Sequence, residues 1–346
     1  KRMGILNKLI TILLAFIIIP TVFVSYMAYY NSKKTIEKEI FSNLNIVADE
    51  KVYDIKAFFS ERKADLLILS RRDVYKAPFS VFAKLDQFCQ DTLSLSYIDT
   101  KKEIEKRFGI FQYANQYKDI MLANMEGKVI YTLNSEHVYE LGTTIPNKTD
   151  VLEKIKTGIY VGKVFKTKSK EQSYRIYLAG PVYGDEDKII GLIHIEIDIG
   201  VINKITHDEY SSNGKSSEML LVDKTPDNKI VFLNQLKYTT EDSSIEPISM
   251  GSNSALPAQK ALLGQSGSGL DIDYRGKEVL ASWRPISSLG WGLVVKIDKD
   301  EAFLPIEKLK ILLFIVILVT ICSASVSAFI IAKSISNPIH KLHKGT

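Results

Sequence analysis

Two long apolar runs frame this chain, and between them lies a polar stretch whose apolar residues recur at helix and strand spacing. Residues 9–30 and 311–332 each run for about 22 positions without a charge, enough at 1.5 Å per residue to cross the roughly 30 Å of a bilayer's hydrocarbon core. Both are expected to be transmembrane helices. A cleaved leader would carry an apolar core of only about 7–15 residues followed by a small-residue cleavage site. Ala28-Tyr-Tyr-Asn31 offers no such site, so the first run reads as an uncleaved anchor. Pro20 falls inside it, and Tyr26, Tyr29 and Tyr30 suit the outer interface. Lys1, Arg2 and Lys8 precede the first run, and Lys333, Lys341 and Lys344 follow the second. By the positive-inside rule both ends are cytoplasmic, which leaves residues 31–308 outside.

Residues 31–70 contain neither Pro nor Gly, and Ile36, Ile40, Leu44, Val47, Phe58, Leu66 and Leu69 recur at roughly three-and-four spacing. This predicts a long amphipathic helix that continues the first span outward. Its apolar stripe has two uses open to it, packing on a sheet of its own subunit or on the same helix of a second one.

The pattern then predicts helices at 81–95 and 102–108 and a hairpin over 120–133 around Glu126-Gly127. A short helix at 149–157 is stopped by Gly158, and strands follow at 160–165, 175–179 and 189–199. After the polar link 210–217 come a second hairpin around Asp227-Asn228 and a helix at 255–263. Strands at 270–274, 277–285 and 292–297 and a helix from 300 into the second span complete the chain. Each unit runs hairpin, helix, three strands, which is an internal structural repeat. The expected class is α+β, with two antiparallel-sheet modules carried on a long N-terminal helix and flanked by two transmembrane helices. The expected segments are 1–8, a cytoplasmic start; 9–30, the first span; 31–210, the long helix with a membrane-distal module; 211–308, a membrane-proximal module; 309–332, the second span; and 333–346, a cytoplasmic linker.

Leu192-Ile-His-Ile-Glu-Ile-Asp-Ile199 is the most informative strand. Alternation sets Ile193, Ile195, Ile197 and Ile199 on one face and Leu192, His194, Glu196 and Asp198 on the other. The aliphatic face needs a partner, for which the long helix is the obvious choice. The ionisable face either meets water or lines a pocket under the loops of 131–170, and alternation alone leaves both open.

Composition narrows the function. With 45 basic and 40 acidic residues the net charge is +5, without a block of one sign, so nucleic-acid binding gains no support. The two cysteines, Cys89 and Cys322, fall in the outer region and in a membrane span, so no disulfide is expected.

In order and in motif the chain resembles the double Cache (dCache) sensor domains of bacterial transmembrane receptors. The resemblance is carried by the long outward helix, Tyr177-Leu-Ala-Gly-Pro-Val-Tyr183 leading to Ile190-Gly-Leu-Ile-His-Ile-Glu-Ile-Asp198, and Glu218-Met-Leu-Leu-Val-Asp223. Ser282-Trp-Arg-Pro-Ile-Ser-Ser-Leu-Gly-Trp-Gly-Leu-Val-Val-Lys-Ile-Asp298 completes it. The tail Ile335-Ser-Asn-Pro-Ile-His-Lys-Leu342 is similar to the first turns of a HAMP linker, with Pro338 and Leu342 at the family's spacing and assigned to signal transmission. The resemblance implies a small-molecule ligand in the distal module, lined by Tyr160, Arg175, Tyr177, His194, Glu196 and Asp198. The amino-acid-binding subfamily carries an Arg-x-Trp-Tyr motif, absent from 151–157, and Glu196 stands where its Asp would be, so amino-acid sensing is not supported.

Each of these residues has a plainer use. His194 and Glu196 could ligate a metal with Asp198, but such sites need three or four converging ligands, and a lone His on a strand is more often a structural or pocket residue. Arg175 either grips a ligand carboxylate or forms an ion pair with Glu196 or Asp198. Trp283 and Trp291 read as core, and Ser323, Ala324, Ser327 and Ala328 give small-residue spacing that permits close helix packing. No nucleophile, base and orienting group stand together, so no catalytic residue, metal or cofactor is expected. The expected function is a homodimeric two-pass receptor of the bacterial inner membrane, with ligand binding passed through HAMP to a cytoplasmic partner or output. A histidine kinase of a two-component system stands ahead of a chemoreceptor as that output. The alternative is a membrane-anchored envelope binding protein without signalling output.

Overall fold

The stripe on the first helix explains the architecture. In the computed structural model, which describes residues 5–70, 84–87, 95–133, 141–166, 174–184, 187–207, 214–238 and 246–343, α1 (Ile5–Ser70) is one continuous 66-residue helix. Its buried apolar residues Leu44, Ala48, Val52, Ile55, Phe59, Leu66 and Leu69 step by three, four or seven, so they form a single line along the helix. Burying each large side chain in that line contributes about 1.5–3 kcal/mol. The gap between Phe59 and Leu66 is taken by Arg62, which pairs with Asp65 at 3.0 Å and Asn115 at 3.1 Å and lies over the rings of Phe58 and Tyr117. Both sheets rest on this one line.

The distal module opens with α2 (Leu95–Asn115), a longer helix than the pattern at 102–108 predicts. Residues 88–94 lie outside the described residues. The hairpin β1 (Asp119–Asn124) and β2 (Val129–Thr132) turns at Gly127, whose φ of 73° favours glycine. After α3 (Lys148–Lys154) come β3 (Tyr160–Val161), β4 (Phe165–Lys166), β5 (Tyr174–Tyr183) and β6 (Ile189–Asp198) in an antiparallel sheet of order β2-β1-β6-β5-β3. β4 also pairs with β5. The strand expected at 160–165 is thus broken in two. The break contains Gly162, where a Cβ would lie 2.5 Å from the Tyr177 ring, so this stretch of backbone is pressed against an aromatic side chain.

An amphipathic helix that the pattern did not single out, α4 (Gly200–His207), follows and buries Ile202. The boundary expected between residues 210 and 211 falls in 208–213, outside the described residues. The proximal module then repeats the plan. β7 (Glu218–Lys224) and β8 (Lys229–Phe232) form its hairpin, β9 (Ile248–Ser249) is a short addition, and α5 (Leu256–Leu262) follows. β10 (Gly267–Ile272), β11 (Glu278–Ile286) and β12 (Trp291–Asp298) complete an antiparallel sheet of order β10-β11-β12-β7-β8-β9. Trp291 meets Phe59 of α1 edge to face at 5.4 Å, whereas Trp283 joins the opposite face, packed with α5 residues.

A single turn, α6 (Lys299–Ala302), leads into α7 (Leu304–His343), which carries the second apolar run and includes Pro338 and Leu342. Helices α1 and α7 each hold a stretch long and apolar enough to cross a membrane, and those stretches are almost wholly exposed. The two helices pack on each other. The buried positions along the described parts of these stretches are small: Ser25 on α1, Ala324 and Ala328 on α7. Ser323 and Ser327, expected to share that role, are exposed. Cys322 is free and exposed.

Candidate functional site

Alternation decides what each face of β6 touches. Ile193, Ile195, Ile197 and Ile199 join the cluster that includes the α1 stripe, as the pattern predicts. The opposite face does not meet water: His194 is 5% exposed and Glu196 3%. Around them Leu192, Met121, Ala123, Tyr177 and Ala179 pack with Ile145, Val151 and Ile155 from the α3 region. Of the two readings open at the level of pattern, the water-facing one does not hold for His194 and Glu196.

The register brings the expected residues together. Tyr177 stands opposite Glu196, Arg175 opposite Asp198, and Ala179 opposite His194 on β5 and β6. Arg175 Nη1 donates to Glu196 Oε1 at 2.7 Å, with both side chains largely out of solvent. Asp198 pairs instead with Lys118 at 3.4 Å. The Tyr177 ring is the centre of an aromatic group, 4.4 Å from His194, 5.9 Å from Tyr160 and 6.4 Å from Phe165. Lys154 lies 4.9 Å over Tyr160 and is tethered to Asp150 at 3.1 Å, a hydrogen bond that raises the lysine's pKa.

Two contributors escaped the pattern. Asp119 stands directly opposite Glu196 on β1, is 3% exposed, and accepts hydrogen bonds from Thr132 Oγ1 at 2.8 Å and Leu133 N–H at 3.1 Å. Its position in phase with Met121 and Ala123 was the available signal. Phe165 was visible only as a strand residue, because its partner Tyr177 belongs to another strand.

The repeat supplies an internal comparison. Glu218 on β7 and Lys296 on β12 occupy in the second sheet the paired places that Asp119 and Glu196 occupy in the first. Lys296 is wholly buried, with Nζ 2.8 Å from Glu218 Oε2 and 2.9 Å from Asp273 Oδ2. Nζ has no aligned hydrogen bond, so proximity of charge holds it there. Arg275 joins Asp273 at 2.7 Å and also Asp298, and lies over the Tyr238 ring at 4.2 Å. Burial raises the pKa of Asp273, but Lys296 and Arg275 outweigh it and hold the carboxyl below its ordinary range. This face of the second module is filled by its own ions. Among the described residues no group of three or more potential metal ligands converges.

Comparisons with known proteins agree with this architecture. The sensory domain of the Campylobacter jejuni chemoreceptor Tlp3 superposes with a TM-score of 0.51 at 16% identity, covering 78% of this chain and 97% of that one. The same domain with isoleucine bound gives 0.50 at 15%, covering 78% and 96%. The extracellular domain of a protein named as a histidine kinase gives 0.48 at 15%, covering 79% and 98%. At such identity the likeness to the Tlp3 domain is one of fold. No curated protein sequence matches the chain. The family model of the Cache domain, in its double form, matches residues 32–306, and the chain belongs to that family.

Proposed function

We propose that this chain is the sensory part of a transmembrane receptor whose distal module binds a small molecule on the covered face of β5 and β6. One observation carries this reading. Arg175 Nε is buried and, among the described residues, has no hydrogen-bond acceptor, although its Nη1 is spent on Glu196. A buried donor left unmade costs about 1–3 kcal/mol, so such a group calls for a partner. A ligand acceptor set beside the Tyr160, Tyr177 and His194 rings supplies one. Arg175, Glu196 and Asp198 then fix the polar part of the ligand, and the aromatic group takes its apolar part. The second module, filled by Lys296 and its carboxylates, is assigned a mechanical role.

In this reading α1 and α7 cross the bacterial inner membrane, and residues 31–308 lie outside. Two copies associate with exposed Ile46 and Tyr53, seven positions apart on α1, facing each other. Binding biases the two states of the receptor by its differential affinity, typically 1–3 kcal/mol. Displacement of α7 passes through Pro338 and Leu342, as the start of a HAMP linker, to a cytoplasmic output. A histidine kinase is the first output to test and a chemoreceptor the second.

The test is a thermal-shift screen of the purified chain in detergent against organic acids, amines, purines and sugars. A compound that raises the unfolding temperature of the wild type should do nothing for Arg175→Ala or Glu196→Ala, each checked for folding by circular dichroism. The double variant Arg175→Met/Glu196→Leu guards against loss of fold from a lone buried charge. Normal binding by all three variants would refute this site.

A further inference from the structure

The chain that leaves the distal module reaches the proximal sheet through a turn, Gly214–Ser217, closed by Ser217 N–H donating to Gly214 O at 3.3 Å. The N–H groups of the two central residues of such a turn point away from it and need acceptors. Here both go to one carboxylate. Lys215 N–H donates to Glu301 Oε1 and Ser216 N–H to Glu301 Oε2, each at 2.6 Å. These are charge-assisted bonds into a small backbone nest, the stronger class of protein hydrogen bond. Ser216 adds a third tie, because its Oγ accepts the N–H of Asp298 at 3.0 Å. Gly214 suits the site as well. A Cβ there would lie 2.9 Å from Ser217 Oγ and 3.2 Å from Glu301 Oε1, so any larger residue crowds the carboxylate.

The place of these groups in the fold gives the contact its meaning. Asp298 ends β12, Glu301 lies in α6, and α7 with its apolar run begins at Leu304. The segment that joins the modules is therefore bound to the root of the second span, and only residues 208–213 separate it from α4 of the distal module. An ordinary acidic residue in a first helical turn serves its own helix end. Glu301 instead spends both oxygens on a segment 85 and 86 residues away in sequence. Burial raises the Glu301 pKa, but the Ser216 and Lys215 donors outweigh it, so the carboxylate stays ionised at neutral pH.

We propose that Glu301 is a positioning residue for signal output: its carboxylate binds the intermodule turn to the root of α7, so that turn and root move as one body. This rests on the receptor reading above. A shift of the distal module then reaches the span along the connecting chain itself, without first deforming the proximal sheet.

The experiment uses the full chain in lipid nanodiscs, with wild type, Glu301→Gln and Glu301→Ala compared and no ligand added. Amide hydrogen exchange at Lys215 and Ser216 should be slow in the wild type, faster by about tenfold or more in Glu301→Ala, and intermediate in Glu301→Gln, which keeps one acceptor oxygen. With labelled chains diluted in unlabelled protein, spin labels at exposed Lys56 on α1, outside the proposed Ile46 and Tyr53 contact, and at Lys308 on α7 should give one narrow distance distribution in the wild type and a broader or displaced one in Glu301→Ala. Gly214→Ala, which crowds the carboxylate without removing it, should broaden the distance in the same way, and it keeps the question open to test if Glu301→Ala fails to fold. Unchanged exchange in Glu301→Ala would overturn the proposal. So would faster exchange with an unchanged span distance, since that is the result of a merely local structural contact. Because no readout requires a ligand, failure here leaves the receptor reading standing, and an empty ligand screen leaves these measurements intact.

Discussion

Arg284 grips Asp49 with two donors, Nε to Oδ1 at 2.6 Å and Nη2 to Oδ2 at 3.2 Å, across 235 positions of sequence. This contact ties α1 to β11 of the proximal module. Arg284 also donates to Asn45 Oδ1 at 3.0 Å and to Gly267 O at 3.1 Å, so one guanidinium joins the helix, β10 and β11. Arg284→Ala removes all of these bonds. Because Asp49 is mostly exposed, the ion pair itself contributes little. The expected loss is about 1–2 kcal/mol, a fall of a few degrees in the unfolding midpoint measured by differential scanning calorimetry. The hydrogen bond from Arg284 holds the Asp49 pKa below 3.8. That stability is present in full above the ordinary carboxylate range and is lost as pH falls through the depressed value.

The buried ions of the second module predict a larger effect. Lys296→Met removes the buried cation that Glu218 and Asp273 share and leaves Asp273 with Arg275 alone, and breaking such a pair from one side costs about 3–5 kcal/mol. Asp273 has a folded pKa below its unfolded one, because Lys296 and Arg275 overcome the effect of burial. Its contribution is therefore complete above the unfolded value of about 3.8 and declines as pH falls toward the depressed value. In acid titrations followed by tryptophan fluorescence, the wild type should lose stability steeply below pH 4 and Lys296→Met should do so less steeply. Equal acid slopes would show that Lys296 does not set the Asp273 titration.

The bare backbone at Gly162 makes a prediction about the distal site. In Gly162→Ala the new methyl would meet the Tyr177 ring at 2.5 Å, and overpacking of that kind typically costs about 1–3 kcal/mol. The cost should shrink in a Tyr177→Ala background, where the ring is gone. A double-mutant cycle by urea denaturation measures the difference, and a coupling near zero would mean that the two positions do not press on each other.

Where the apolar stretches of α1 and α7 pack, Ala324 and Ala328 are buried while Val326 is 60% exposed. Replacing either alanine with Leu should separate α1 from α7 and lower disulfide trapping between cysteines placed on facing positions of the two helices in a cysteine-free background. Val326→Leu, on the outer side, should leave trapping unchanged.

Much of this was visible from spacing because each strand or helix chooses its faces locally. The isoleucines at 193, 195, 197 and 199 implied a helical partner, and α1 is that partner. Alternation says which residues share a face but not what covers it, so His194 and Glu196 stayed ambiguous until the α3 region was in place. Asp119 carried only its phase with Met121 and Ala123, and Lys296 and Glu301 carried no local mark. Their roles depend on Glu196, Glu218 and the turn at Lys215, partners set opposite them only by the completed sheets. The break between β3 and β4 was hidden for the same reason, since the pressure on Gly162 comes from a ring on β5. Helix α4 spans Gly200–His207, barely two turns, and so short a period is hard to distinguish from a loop.

The continuity of α1 has one more consequence. At 1.5 Å per residue its 66 residues make a rod of about 100 Å, without a glycine and with its single proline at Pro20. There Thr21 returns a hydrogen bond to Ile17 O at 2.8 Å, close to the one main-chain bond that proline cannot make. Both sheets are thus mounted on a stiff axle whose weakest joint lies at its foot, in the apolar stretch. Bending is concentrated there, and above it the modules can only slide or roll against a common shaft.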